Sequence, residues 1–221
     1  SDPEDPNLSR YDPQYFHRAI AAALQEVEAG RLQRLILTVP PRHGKSQLTS
    51  KNFLAWFIGR DPYRHVALGT YNQTFAEDFG RAVRSIMQQP AFEQVFPGVT
   101  LKKESQAADR METTQGGALY FVGRGGSITG RGCNLLIVDD PLKGAEEADS
   151  ANERDKLWSW ILNDLMSRFM DDQGAAIVIS TRWSEDDLIG RLTDPKNPHY
   201  YAGRAAEWKI DSKRIGIMGF S

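Results

Sequence analysis

The twelve residues Leu35-Ile-Leu-Thr-Val-Pro-Pro-Arg-His-Gly-Lys-Ser46 constrain this chain more than any other stretch. Leu35 to Val39 is apolar and β-rich, the composition of a strand buried on both faces. Pro40-Pro41 then stops the ladder, because proline brings no N–H to it. Gly44-Lys45-Ser46 follows and opens a helical pattern in which Leu48, Phe53, Leu54 and Phe57 recur to about Ile58. A strand, a tight loop and a helix beginning Gly-Lys-Ser form a phosphate-binding loop. Backbone N–H groups and the positive helix end face an anion, Lys45 reaches the terminal phosphates, and the Ser46 hydroxyl ligates magnesium. The candidate nucleotide-binding residues are therefore Pro41, Arg42, His43, Gly44, Lys45, Ser46 and Gln47. The full pattern G-x-x-x-x-G-K-[ST] is half present, since Val39 stands at its first glycine.

A second constellation lies downstream, in Leu135-Leu-Ile-Val-Asp-Asp-Pro141. Four apolar residues ending in two acids read as a buried parallel strand whose carboxyl end opens into a site, the place where open α/β sheets bind ligands. Asp139 at the strand tip is placed to hold magnesium through water. Asp140, one residue on, points elsewhere and is placed to orient or activate an attacking water. Ala175-Ala-Ile-Val-Ile179 is another buried strand, and it ends in Ser180-Thr-Arg182, small hydroxyl residues suited to sensing a γ-phosphate.

Between these landmarks the chain alternates. Asp12-Pro13 reads as a cap and a first-turn proline ahead of a helix carrying Phe16, Ile20, Ala23, Leu24 and Val27 up to Gly30, and Tyr15, Phe16 or His17 on it are candidates for touching an adenine. Val66 to Thr70 reads as a short strand. Thr74-Phe-Ala-Glu77 reads as a capping box opening a helix with Phe79, Val83, Ile86 and Met87 on one face, ending before Pro90. Helix and strand in alternation predict a parallel sheet with covering helices. Residues 91 to 130 break the rhythm: Arg110 to Thr114 and Ala118 to Val122 predict a hairpin or small antiparallel addition at the sheet edge. Gly123-Arg-Gly-Gly126 and Thr129-Gly-Arg-Gly132 predict mobile loops carrying Arg124 and Arg131. Lys143 to Asp149 reads as a charged loop. Ser150-Ala-Asn-Glu153 caps an amphipathic helix bearing Leu157, Trp158, Ile161, Leu162, Leu165, Met166 and Phe169, and Ser184 caps a short helix through Leu192.

Composition narrows the class. At 221 residues, 40% apolar and 25% charged, the chain has globular values and suffices for one α/β unit. A net charge of −2 gives no whole-surface attraction to nucleic acid, leaving only local basic patches such as Lys102, Lys103, Lys143 and the Arg-Gly loops. One cysteine, Cys133, excludes an internal disulfide, and its place beside a buried strand suggests packing. No apolar run approaches the roughly 18 residues of a membrane span, and the acidic start is unlike a signal peptide, so a soluble intracellular protein is expected.

Pro40-Pro-Arg-His-Gly-Lys-Ser46, Ser127-Ile-Thr-Gly-Arg-Gly132 running into Leu135 to Pro141, and Ser180-Thr-Arg-Trp183, in that order, resemble the N-terminal ATPase domain of the large terminase subunit of tailed bacteriophages. The similarity covers roughly residues 12 to 195. It implies a P-loop NTPase of the additional-strand class, an α/β fold whose mostly parallel central sheet is flanked by helices. It also implies ATP and Mg2+ as cofactors, and a homo-oligomeric ring that meets a portal protein and a small terminase subunit. Such a ring drives double-stranded DNA into a procapsid in the cytoplasm of an infected bacterial host, and the isolated domain is a monomer. By the same resemblance Lys45 and Ser46 are the phosphate and magnesium residues, Asp139 holds the metal, and Asp140 stands where relatives place a catalytic glutamate. Ser180 and Thr181 match the coupling motif, and Arg42 takes the loop position of an arginine that faces the γ-phosphate. An arginine from a neighbouring subunit is expected to steady the transferring phosphoryl group, with Arg131 the first candidate and Arg124 the second.

The resemblance divides the chain into a lead-in helix region at 1–30, an ATPase domain at 31–200 and a tail at 201–221. A nuclease domain is expected to be absent, as in an excised domain or a truncated gene. The tail, Trp208 to Ser221, instead resembles the strand into a G-x-S-x-G nucleophile elbow with Gly219 and Ser221 in place, and is expected to be foreign or disordered. Two alternatives stay open. One is a helicase-like or recombination ATPase. The other is a nucleotide-binding module that does not hydrolyse ATP, supported by Val39 and by Asp140 in place of glutamate.

Overall fold

In a computed structural model, the structure describes residues 12–128 and 130–193. The proposed tail at 201–221 lies outside them, as do the ends of the lead-in and ATPase segments. The strands, in chain order, are β1 (Arg34–Leu37), β2 (His65–Thr70), β3 (Leu101–Gln106), β4 (Arg110–Thr113), β5 (Ala118–Gly123), β6 (Leu135–Asp139) and β7 (Ala175–Ile179). They form one seven-stranded sheet in the order β1-β7-β6-β2-β5-β4-β3. β1, β7, β6, β2 and β5 are mutually parallel, while β4 and β3 add antiparallel at the far edge. β7 separates the phosphate-loop strand β1 from the acid-tipped strand β6, which is the inserted strand that defines the additional-strand class. The expected α/β fold with an antiparallel addition is the one observed.

The parallel strands are buried on both faces, and their residues alternate between two cores. Leu135 and Ile137 of β6, with Ile177 and Ile179 of β7, join Leu35, Leu37, Val66, Leu68 and Phe121 in one core. Leu136, Val138, Ala176 and Val178 join Trp158, Trp160, Ile161, Leu165 and Leu188 in the other. The first core is covered by α1 (Tyr15–Glu28), a π-helical segment Gln47–Phe53 continuing as α2 (Leu54–Arg60), α3 (Gln73–Met87) and α4 (Pro90–Val95). The second is covered by α5 (Ala145–Asp149), α6 (Ala151–Ser159) with the distorted turns that follow it, and α7 (Leu188–Thr193). Each fully buried Leu, Ile or Phe contributes about 1.5–3 kcal/mol relative to exposure, so this two-sided pattern fixes the strand register. A one-residue slip would exchange the two cores.

Local details differ from the sequence expectation in five places. Gln14 rather than Asp12 caps α1, its backbone N–H donating to His17 Nδ1. Asn72 rather than Thr74 caps α3, its side-chain oxygen accepting from Phe75 N–H at 2.8 Å. Pro90 reads as the stop of α3 but is the first residue of α4, and the stretch read as a charged loop at Lys143 to Asp149 holds α5 with Gly144 at its N-cap; proline fits a first helical turn, where its missing N–H has no partner to lose. Ser184 accepts no capping N–H, and its hydroxyl is buried without a hydrogen-bond partner; the side chain of Asp187 instead accepts from Gly190 N–H at 2.8 Å. Ser150 does cap α6, accepting from Glu153 N–H. Cys133 is buried, and burial pushes its thiol up to about 12, which fits packing rather than chemistry. Among the described residues no helix is long and apolar enough to cross a membrane.

Candidate nucleotide-binding site

The site forms where β1, β6 and β7 end side by side. Alternation along β6 puts Asp139 on the same face as Leu135 and Ile137, the face covered by the helix that follows the phosphate loop. Two hydroxyls of that helix meet it: Ser46 Oγ donates to Asp139 Oδ1 at 3.1 Å, and Ser50 Oγ donates to Oδ2 at 2.5 Å. The carboxyl is 1% exposed. Burial raises its pKa from 3.8 to about 6, and the neighbouring Asp140 adds to the rise, against the lowering effect of the two serines and Lys45.

Asp140 leaves the strand in a left-handed conformation, φ 39°, and its backbone N–H donates to Ile179 O on β7. This turn carries its side chain away from that of Asp139 and toward the loop. Lys45 Nζ lies 2.9 Å from Asp140 Oδ2 and donates to Thr181 Oγ1 at 3.1 Å. Thr181 N–H donates to Asp140 Oδ1 at 3.2 Å, so the tips of β6 and β7 are stitched across the ammonium. Ser180 lies one step back, its N–H on Leu37 O and its hydroxyl on Thr181 O. Arg42, φ 65°, and Gly44, φ 75°, bracket the loop, and Arg42 and Asp140 are the non-glycine residues with positive φ among those described. Such backbone costs about 1–3 kcal/mol per residue and gathers where a site requires it.

A cavity of about 630 Å³ opens over these groups, lined by Pro41, Arg42, Gly44, Lys45, Ser46, Gln47, Asp140 and Thr181 from the expected set. Tyr71, Phe75, Leu142, Lys143 and Trp183 complete the wall. His43 does not line it; its ring turns back so that Nδ1 lies 2.8 Å from Pro41 O. Tyr15, Phe16 and His17 do not line it either, and Phe16 and His17 pack behind the loop against His43. Arg131 lies outside the cavity with its guanidinium 5.0 Å from the centre of the Tyr120 ring. Arg124 departs from the expected mobile loop: Glu153 at 2.6 Å and Glu147 at 3.3 Å hold it. Sequence reasoning missed Ser50, whose only signal was its place one turn beyond Ser46, and Tyr71, Phe75 and Trp183, which follow the tips of β2 and β7. Val39, at the missing glycine, is 3% exposed and belongs to the core.

The HK97 bacteriophage large terminase superposes with a TM-score of 0.56 at 16% identity over 86% of this chain. The large terminase ATPase domain of Thermus phage P74-26 superposes with a TM-score of 0.52 at 13% identity over 77% of it. The chain has the fold of a large-terminase ATPase domain. It spans 38% of the HK97 protein's length and 70% of the Thermus phage domain. No protein-family model matches the chain, and no curated protein matches it.

In this ATPase fold the donor set suits magnesium. Ser46 gives its proton to Asp139, which leaves its oxygen lone pairs available to a hard cation. Among the described residues no cluster of three or more His, Cys, Asp or Glu forms a metal cage of its own.

Proposed function

We propose that this chain is an ATP-hydrolysing motor domain that drives double-stranded viral DNA into a procapsid. The meeting of Lys45, Ser46, Asp140 and Thr181 around one cavity at three strand ends, with Asp139 buried behind Ser46, carries the reading. An arriving triphosphate offers Lys45 a stronger anionic partner than Asp140, whose side chain is 36% exposed and readily rehydrated. Ser46 and, through water, Asp139 would hold Mg2+, which neutralises charge on the β and γ oxygens. Asp140, released from Lys45 and still oriented by Thr181 N–H, accepts the proton of the attacking water as the bond between the γ phosphorus and the bridging oxygen breaks. Thr181 and Ser180 couple the state of the γ-phosphate to β7. Arg42 faces the phosphates, and Arg131 acts on a neighbouring subunit's nucleotide in an assembled ring. Portal protein, small terminase subunit and a host-cytoplasm setting follow from the same reading.

One observation favours a second reading, a module that binds nucleotide without hydrolysing it. Asp140 is committed to both Lys45 and Thr181, and it is one methylene shorter than glutamate. Phosphate release, measured over a range of protein concentrations with and without linear duplex DNA, separates the two. The motor reading expects turnover that rises with concentration, with background rates for Lys45→Ala and Asp140→Asn. Lys45-dependent ATP binding without phosphate release at any concentration establishes the second reading, and turnover unaffected by either substitution defeats both. A strand-separation assay on forked duplex distinguishes a helicase-like ATPase.

A further inference from the structure

The phosphate loop is gripped from behind by two imidazoles. His17, in the first turn of α1, places Nε2 3.1 Å from the carbonyl oxygen of His43. Its Nδ1 lies 3.1 Å from the backbone N–H of Gln14. A backbone N–H only donates, so Nδ1 accepts and Nε2 carries the proton that His43 O receives. His43 turns its own Nδ1 to Pro41 O at 2.8 Å, and because a carbonyl only accepts, that nitrogen is the protonated one. Phe16 packs against both rings, with centroids 4.0 Å from His17 and 5.9 Å from His43. The His43 to Pro41 bond spans Arg42, the left-handed residue whose backbone is strained, and the His17 bond fixes the far end of that turn. His17 Nε2 also lies 3.4 Å from where a Cβ on Gly44 would stand, so this ring and the loop are fitted to each other.

We propose that His17 is a positioning residue for nucleotide binding: its Nε2–H bond to His43 O holds residues 41–44 in the anion-accepting conformation and ties α1 to ligand affinity. This rests on the nucleotide-binding reading of the site. His17→Asn places its side-chain oxygen where Nδ1 sits and keeps the helix cap, but it is too short to reach His43. His17→Gln carries its amide N–H to the Nε2 position and keeps the loop bond instead. A role confined to capping predicts that Asn behaves as the parent; the positioning role predicts that Asn fails while Gln does not.

The experiment measures ATP affinity and the rate of tryptic cleavage after Arg42, an exposed residue, in the parent, both variants and Lys45→Ala. The expected result for His17→Asn is about tenfold weaker ATP binding, the size of one lost hydrogen bond, with faster cleavage at Arg42. His17→Gln is expected to bring both back to within about twofold of the parent, a range well inside that single-bond effect. Parent-like ATP affinity or parent-like cleavage in His17→Asn, while Lys45→Ala abolishes binding, overturns this inference alone. Absence of Lys45-dependent binding in the parent overturns the site reading and this inference with it.

Discussion

Lys45 and Arg191 are each 5% exposed, yet the fold holds them differently. Arg191, on α7, gives Nε and Nη2 to the two oxygens of Asp186 and reaches α6 through Nη1 to Asp155, all at 2.7 Å. Arg154 approaches Asp186 from the other side at 3.0 Å and also donates to Ala148 O. Lys45 has one carboxylate and one hydroxyl for its three N–H groups among the described residues. The first cation is saturated by planar, bidentate pairing and serves packing. The second is a point charge lightly held at the mouth of a cavity, a condition that suits exchange of a resident carboxylate for a ligand's phosphate. Burial alone does not mark a functional cation; the number of bonds it would surrender does.

The largest expected effect breaks this contrast most directly. Lys45→Met should weaken ATP binding at least a hundredfold, about 3 kcal/mol or more, while isothermal titration and thermal melting of the same sample show a shift in melting temperature of only a few degrees. A melting shift beyond about 10 °C, more than a 1 kcal/mol change produces even in a small domain, would make Lys45 a structural cation like Arg191.

Asp139 sharpens the comparison from the carboxylate side. Its pKa is about 6 in the folded chain against 3.8 unfolded, so between those values the native state keeps a proton that the unfolded state has lost. Stability therefore falls as pH rises from about 4 to about 6 and is flat above, a total of about 3 kcal/mol. Asp139→Asn removes this decline, so the variant should gain on the parent across that window in denaturant titrations. The difference between the two proteins isolates Asp139 from Glu112 and Asp186. Hydrogen bonds from Lys102 and Arg110, and from Arg191 and Arg154, hold those two low and give the opposite slope. A parent-minus-variant difference that does not change with pH would show that Asp139 titrates normally.

Arg191→Met is next in size. It keeps most of the buried stem but gives up three charge-assisted hydrogen bonds. Because Asp186 and Asp155 are half exposed and can be rehydrated, the cost should be about 2 kcal/mol rather than the larger penalty of a stranded buried charge. ATP affinity of the folded protein should be unchanged, and a tenfold loss would show that α7 communicates with the cavity.

The same contrast explains what was legible in the sequence. β6 and β7 could be placed because doubly buried strands are short, uniformly apolar runs, and Leu135 to Asp139 and Ala175 to Ile179 match their observed bounds. Lys45 announced itself by a local pattern, since glycine, lysine and serine must be consecutive to build a phosphate loop. Arg191 did not, because Asp155 lies 36 residues away and nothing local marks the pair. Tyr71, Phe75 and Trp183 reached the cavity wall for a similar reason: three strand tips converge there, and that convergence belongs to the sheet order. The caps at Gln14 and Asn72 and the short helix α4 were lost to competing turn chemistry, in which Asp-Pro, Thr-x-x-Glu and Pro90 offered equally good local alternatives, and α5 was lost because its charged residues read as a loop.

The smallest effect decides whether the Lys45 to Asp140 contact is a resting place or a bridge. A double-mutant cycle on unfolding free energy, with Lys45→Met, Asp140→Asn and both together, should give a coupling below about 1 kcal/mol, because the carboxylate is 36% exposed and solvent screens the pair. The matching cycle on Arg191 and Asp186 should give a larger coupling, since two parallel bonds at 2.7 Å fix the geometry. If the Lys45 cycle were to exceed the Arg191 cycle, the strand tips would be held together by the very bond that a phosphate has to break. Ligand entry would then oppose the fold rather than use a charge the fold leaves free.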